Sequence, residues 1–222
     1  MDLGLRTALA HILWLGGGAR TGKTTLSRLL AGKYDLKIYN LDWHRVREHR
    51  ERLDPVRHPF SLAWERATMD ERWLLPSAEE LVERTVASWT EGLGLVIEDL
   101  LGLPRSRVVL AEGPGALPWC VAPLLTSPRQ AIFLVPTPRF RDAVLSRRLA
   151  ESTGRAFDDT TDPERASANL RARDLALATR IAESCDALGL RCEEMNGSLD
   201  LPAAGALLEE HFRPYLPEVP NV

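Results

Sequence analysis

Residues 17–24 read Gly-Gly-Ala-Arg-Thr-Gly-Lys-Thr, a fit to GxxxxGK[ST], and this segment restricts the fold more than any other in the chain. An apolar run, HILWLG (11–16), precedes it. The run KTTLSRLLAGK (23–33) follows, with helical spacing at Leu26, Leu29 and Leu30. Strand, glycine turn and helix in that order make the first part of a βαβ unit. Gly17, Gly18 and Gly22 let the backbone bend until successive N–H groups face inward at phosphate oxygens. The helix start adds the positive end of its dipole. Lys23 then reaches the β- and γ-phosphates, and the Thr24 hydroxyl takes Mg²⁺. At average residue frequencies, a chance match in 222 residues occurs about once in a hundred chains.

The rest of the chain alternates in the same way. LKIYNL (36–41), VVLAEG (108–113), AIFLVP (131–136) and the weaker LRCEEM (190–195) are further strand candidates, separated by helix-like segments. Strands alternating with helices predict a parallel α/β sheet covered on both faces. A helix over Ser77–Leu101 is signalled by Leu81, Val82, Val86, Trp89, Leu93, Val96, Ile97 and Leu100. Ser77 and Glu80 form a capping-box pattern at its start, and Gly92 and Gly94 leave a kink or break open. Residues 43–73, rich in charge and tryptophan, predict one or two short helices projecting beyond the sheet. Asp162 before Pro163 signals a helix start, and Gly189 its end.

Length and charge bound the function. One domain spanning 1–222 is expected, with a helical lobe at about 43–105. The net charge of −3 argues against a duplex-binding protein, so no nucleic-acid partner is expected. No apolar run approaches the ~20 residues of a membrane span, and a cytoplasmic protein is the expectation. Cys120, Cys185 and Cys192 are odd in number and lack CxxC spacing, which predicts buried free thiols rather than disulfides or zinc ligands.

The order of elements and residues 12–30 resemble the P-loop small-molecule kinases, a group that includes nucleoside monophosphate, shikimate and gluconate kinases. The resemblance implies a three-layer P-loop NTPase fold, with five parallel strands and the glycine-turn strand at the centre. It implies ATP and Mg²⁺ as cofactors, with phosphates resting on Gly17, Gly18, Ala19, Arg20, Thr21, Gly22, Lys23, Thr24 and Thr25. A lid at about 147–163 is implied too, closing arginines over the phosphates; Arg148, Arg155 and Arg171 are the preferred candidates, with Arg147 and Arg173 behind them. The loop Asn196-Gly197-Ser198 corresponds to the one that packs on adenine.

Asp42 follows the second strand candidate, where a carboxylate takes the proton of an acceptor hydroxyl. An N-cap for a helix starting at Trp43 is the competing role. Next come His44, Arg45, Arg47, His49, Arg50 and Arg52. There His44 and Arg45 are candidate acceptor ligands, and ion pairing with Glu48 and Glu51 is the alternative. Glu112 stands where NTPases often carry an aspartate near Mg²⁺, and Gly113 lets an acceptor approach the backbone. The expected activity is transfer of phosphate to a hydroxyl of an unnamed small molecule, by a monomer or homodimer. An ATP-binding regulator, with the tryptophan-rich lobe as a protein interface, is the rival.

Overall fold

The computed structural model describes residues 3–151 and 157–216. Its strands are β1 (Ile12–Gly17), β2 (Lys37–Asn40), β3 (Val109–Glu112), β4 (Ala131–Pro136) and β5 (Arg191–Met195). They form one parallel sheet in the order β2-β3-β1-β4-β5, with β1 at the centre. The helices are α1 (Leu3–Ala8), α2 (Lys23–Tyr34), α3 (Leu41–Arg45), α4 (Glu48–Glu51), α5 (Pro59–Arg66) and α6 (Met69–Trp73). After them come α7 (Ala78–Leu101), α8 (Pro118–Val121), α9 (Pro138–Glu151), α10 (Pro163–Leu188) and α11 (Leu201–Phe212). Every strand falls within one residue of its apolar run, and β4 coincides with it.

The strands alternate between two cores, as a sheet buried on both sides requires. Ile12 and Trp14 of β1, Val109 and Ala111 of β3, and Phe133 and Val135 of β4 pack with Val96 and Leu100 of α7 and Ile181 of α10. Leu13, Leu15, Leu110, Ile132 and Leu134 face the other way, onto Leu26 and Leu30 of α2 and Leu208 and Phe212 of α11. The molecule is therefore a helix–sheet–helix sandwich of three layers.

Local chemistry explains the helix ends. Glu80 N–H donates to Ser77 Oγ at 3.2 Å, and Ser77 N–H donates to the Glu80 carboxylate at 2.8 Å. Helix α7 runs unbroken through Gly92 and Gly94. Each glycine costs about 1 kcal/mol. Burying Leu95, Val96 and Leu100 contributes about 1.5–3 kcal/mol apiece and outweighs it. Arg165 N–H donates to Asp162 Oδ1 at 3.0 Å, and Gly189 (φ 64°) ends α10.

Residues 43–73 differ from the one or two helices expected. They hold the end of α3 and then α4, α5 and α6. Proline opens α5, and a Thr68–Glu71 capping box opens α6. The chain segment leading into α10 is tied to α6. Thr161 donates to Asp70 from its backbone N–H at 2.8 Å and from its hydroxyl at 2.7 Å. Trp73 stands edge-on to Trp64 and Phe157. Of the three free cysteines only Cys185 is fully buried; Cys120 and Cys192 are partly buried and pack against the core. Among the described residues no helix is long and apolar enough to cross a membrane.

Candidate functional site

A cleft of about 390 Å³ opens at the carboxyl ends of β1 and β3, where the strand order reverses. The glycine turn forms one wall. Gly17 (φ 112°) passes so close to Leu134 that a Cβ would sit 2.1 Å from its carbonyl oxygen, so the position admits only glycine. Gly18 N–H donates to the same carbonyl at 2.8 Å. Arg20 (φ 65°) and Gly22 (φ 86°) are also left-handed. Such changes of hand turn successive amides toward one side and form an anion nest. Gly22 begins α2 with no side-chain cap, which leaves the first-turn N–H groups open to a ligand.

Lys23 is buried at the base of this turn. Its ammonium donates to Gly18 O at 2.5 Å, Thr21 Oγ1 at 3.2 Å and Gly17 O at 3.3 Å. Burial lowers its pKa to about 8, against the fields of Asp42, Glu112 and Asp174. Ala19, Arg20, Thr21, Gly22, Thr24 and Thr25 line the cleft with it.

Glu112, 1% exposed, closes the floor. It accepts a hydrogen bond from Thr24 Oγ1 at 3.1 Å and another from Asn40 Nδ2. The register explains the meeting, because Glu112 pairs across the sheet with Leu15 on one side and Asn40 on the other. Burial raises the Glu112 pKa, while Thr24, Lys23 and Asn40 act against the rise.

Asn40 also settles the role of Asp42 in the helix. The N-cap of α3 is Asn40, whose Oδ1 accepts the Trp43 N–H at 2.7 Å. Asp42 lies in the first turn, and among the described residues its carboxylate has no hydrogen-bond or ion-pair partner. It is open to solvent in the cleft, yet enough protein surrounds it that burial raises its pKa against the pull of Lys23 and Arg45. Capping by Asp42, the competing expectation, is thereby corrected.

The opposite wall carries a charge cluster. Asp174, 5% exposed, binds Arg20 at 2.7 Å, Arg141 at 3.0 Å and, through its other oxygen, Arg173 at 3.0 Å. Nε of Arg141 and Nε of Arg173 are buried without partners. One carboxylate thus faces three guanidinium groups drawn from the glycine turn, α9 and α10. Arg20, Arg173 and Asp174 line the cleft.

Several expected residues stand elsewhere. Arg171 is exposed and paired with Asp142, and the arginine of its helix that lines the cleft is Arg173. The side chains of Arg147 and Arg148 and the whole of Arg155 lie outside the described residues. His44 stacks on Tyr39 with ring centroids 4.2 Å apart and pairs with Glu48 at 3.3 Å; His49 reaches the pocket wall in its place. Gly113 (φ 150°) is buried, and a Cβ there would meet the Leu41 Cβ at 3.0 Å; Pro114 and Gly115 face the open spaces instead. Gly197 and Ser198 are exposed beyond β5, outside the cleft lining, with Gly197 against the Phe140 ring. Arg45 donates to Ser88 Oγ at 2.8 Å and lines a second, narrower pocket that also contains Asp42. The other basic residues pair mostly across to α5 and α7 rather than with Glu51: Arg50 with Glu65, Arg52 with Glu98 and Asp99.

The donor set suits hard ligands. Thr24 and Glu112 offer oxygens beside the glycine turn, the donor type that Mg²⁺ prefers. Among the described residues no group of three or more His, Cys, Asp or Glu forms a metal site by itself. No local pattern singles out Arg141, Trp73 or Asp174, because only the fold brings α6, α9 and α10 to the turn.

No family model matches the chain, and no curated protein matches it. One solved structure similar to it is the crystal structure of an uncharacterized protein from Eubacterium ventriosum ATCC 27560. Its TM-score is 0.42 at 13% identity, and the match covers 91% of this chain and 98% of that one.

Proposed function

We propose that this chain is an ATP- and Mg²⁺-dependent phosphotransferase acting on a hydroxyl of a small molecule. The observation that carries the reading is that Lys23 and Asp42 line one cleft with the Thr24–Glu112 pair. Polyphosphate rests on the uncapped start of α2 and the amides of residues 19–22. Lys23 and the guanidinium groups of Arg20 and Arg173 offset its charge and the charge that develops in the transition state. Thr24 and Glu112 hold Mg²⁺, which supplies charge neutralisation and aligns the phosphates. Asp42, without a side-chain partner among the described residues, orients the acceptor hydroxyl and takes its proton. The P-loop kinase resemblance supports the same assignment. Adenine recognition by Gly197 and Ser198 has less support, since neither lines the cleft.

The test is ADP release from ATP and Mg²⁺ across a panel of alcohols. Acceptor-dependent release that Asp42→Asn abolishes supports the reading; release independent of every acceptor removes it. A second reading, an ATP-binding regulator, is favoured by apolar side chains on the lobe surface: Trp43, Val46, Val56, Phe60 and Leu75 are all at least half-exposed. ATP binding with no turnover of any acceptor would favour that reading.

A further inference from the structure

We propose that Cys185 and Cys192 are a site of reversible oxidation, closing to an intramolecular disulfide when the protein meets a hydroperoxide. Cys192 is the thiol oxidised first, and Cys185 resolves it. The inference stands apart from the phosphotransferase reading, because neither cysteine lines the cleft.

The fold brings the two thiols together. Cys185 lies in the last turn of α10 and Cys192 in β5. The chain reverses directly between them: Gly189 (φ 64°) ends the helix, and Leu190 N–H donates to Cys185 O at 2.8 Å. Alternation then places Leu190 and Cys192 on one face of the strand and Arg191 and Glu193 on the other. On that other face Arg191 Nε donates to Glu193 Oε1 at 2.7 Å. Cys192 stands beside Phe133 of β4. Phe133, Leu190 and Cys185 belong to one core cluster, and Cys192 packs against it. The Cys185 thiol is directed at the Cys192 sulfur. A disulfide needs side chains that point at each other across a short backbone gap, which this reversal provides.

The two thiols are unequal. Cys185 is fully buried, whereas Cys192 is partly exposed. The Cys185 donor holds the Cys192 thiol below its ordinary pKa, against burial and the carboxylates of Glu193 and Glu194. The same contact, with burial, pushes the Cys185 thiol up. Cys192 therefore combines access with thiolate character, and Cys185 waits protonated behind it. Cys120 has no such neighbour: its sulfur meets the Thr90 hydroxyl at 3.6 Å, and burial raises its pKa.

The oxidation balances in two steps. The Cys192 thiolate attacks one peroxide oxygen, and the O–O bond breaks. The other oxygen leaves with the electron pair and takes up a proton, as water or an alcohol, which makes Cys192 a sulfenic acid. The Cys185 sulfur then attacks the Cys192 sulfur. The S–O bond breaks, and hydroxide leaves as water with the Cys185 proton. Together the thiols give up two electrons and two protons, and the hydroperoxide accepts them. A dithiol reverses the product by thiol–disulfide exchange.

The experiment treats the folded full chain with hydrogen peroxide, blocks remaining thiols with iodoacetamide and maps the tryptic peptides by mass spectrometry. Trypsin cleaves after Arg191, between the two cysteines, so the disulfide appears as two joined peptides. The expected result is that linked pair, lighter by two hydrogens than its separate parts, with Cys120 still alkylated and dithiothreitol restoring both thiols. In Cys185→Ser the sulfenic acid on Cys192 should be captured by dimedone and, without dimedone, proceed to sulfinic acid. In Cys192→Ser, Cys185 should stay reduced. Cys120→Ser leaves the pair untouched and should form the same link, which keeps the test open if either other variant folds poorly. Alkylation of both thiols after peroxide, a link to Cys120 or between two chains, or sulfinic acid on wild-type Cys192 in place of the link overturns the inference. The readout needs neither nucleotide nor acceptor, so its failure and that of the phosphotransferase reading are distinct.

Discussion

The Thr24 hydroxyl donates to Glu112 Oε1 at 3.1 Å, joining the first turn of α2 to the last residue of β3 across the floor of the cleft. Asn40 donates to the same oxygen, so one buried carboxylate fixes three elements. Removing it has two consequences. Glu112→Ala leaves Thr24 and Asn40 without their acceptor and should cost about 1–3 kcal/mol in denaturant unfolding. Glu112→Gln keeps an acceptor oxygen and most of the stability, but should raise the Mg²⁺ concentration for half-maximal turnover more than tenfold. Equal Mg²⁺ dependence in Glu112→Gln and wild type would separate Glu112 from the metal.

Asp42→Asn should lower kcat about 10²–10⁴-fold, the usual contribution of a positioned base, while ATP affinity changes little. The acid limb of the wild-type pH–kcat profile should lie above the ordinary carboxylate range, because burial raises the Asp42 pKa. Activity is therefore lost as pH falls through that raised value. A limb near pH 4 would show that some other carboxylate governs the profile.

Lys23 makes a stability prediction of opposite sign to its role in binding. A pKa lowered from 10.5 to about 8 corresponds to about 3 kcal/mol of burial cost in the ligand-free protein. Between pH 8 and 10.5 the folded chain sheds a proton that the unfolded chain keeps, so this cost fades and stability rises with pH. Lys23→Met should therefore melt higher than wild type at pH 7 without nucleotide, and the gap should narrow toward pH 10. Melting curves at the two pH values check both parts.

Asp174→Asn should destabilise the ligand-free protein by about 3–5 kcal/mol, since Arg20, Arg141 and Arg173 lose their shared counter-charge in a buried place. A polyphosphate supplies charge of the same sign. The rise in Tm on adding ATP and Mg²⁺ should accordingly be larger in the variant than in wild type. An equal rise would detach the cluster from the cleft.

The parts of this molecule set by local pattern were legible in its sequence. The apolar runs located the strands to within a residue, and Ser77–Glu80 and Asp162–Pro163 marked helix starts by their own capping chemistry. Residues 43–73 were not, because prolines and isolated caps cut a charged stretch into short helices with no usable period. The position of Asp42 suits a base or a cap; the cap is Asn40, whose Oδ1 accepts from Trp43 while its amide meets Glu112 once β2 lies beside β3. The Asp174 cluster was hidden for a similar reason. Its charges come from positions 20, 141, 173 and 174, and no local pattern predicts that α9 and α10 bring them to the glycine turn. Arg171 is the preferred arginine of α10 by sequence, but helix orientation turns it toward Asp142 and puts Arg173 at the cleft.

Calorimetric titration of ATP with Mg²⁺ into wild type and Lys23→Met tests the central claim most directly. The account predicts a saturable single site in the wild-type protein and at least about a hundredfold weaker binding in the variant, equivalent to losing a charge-assisted contact of about 3 kcal/mol. Equal affinity in the two proteins, or no binding by the wild type, contradicts it.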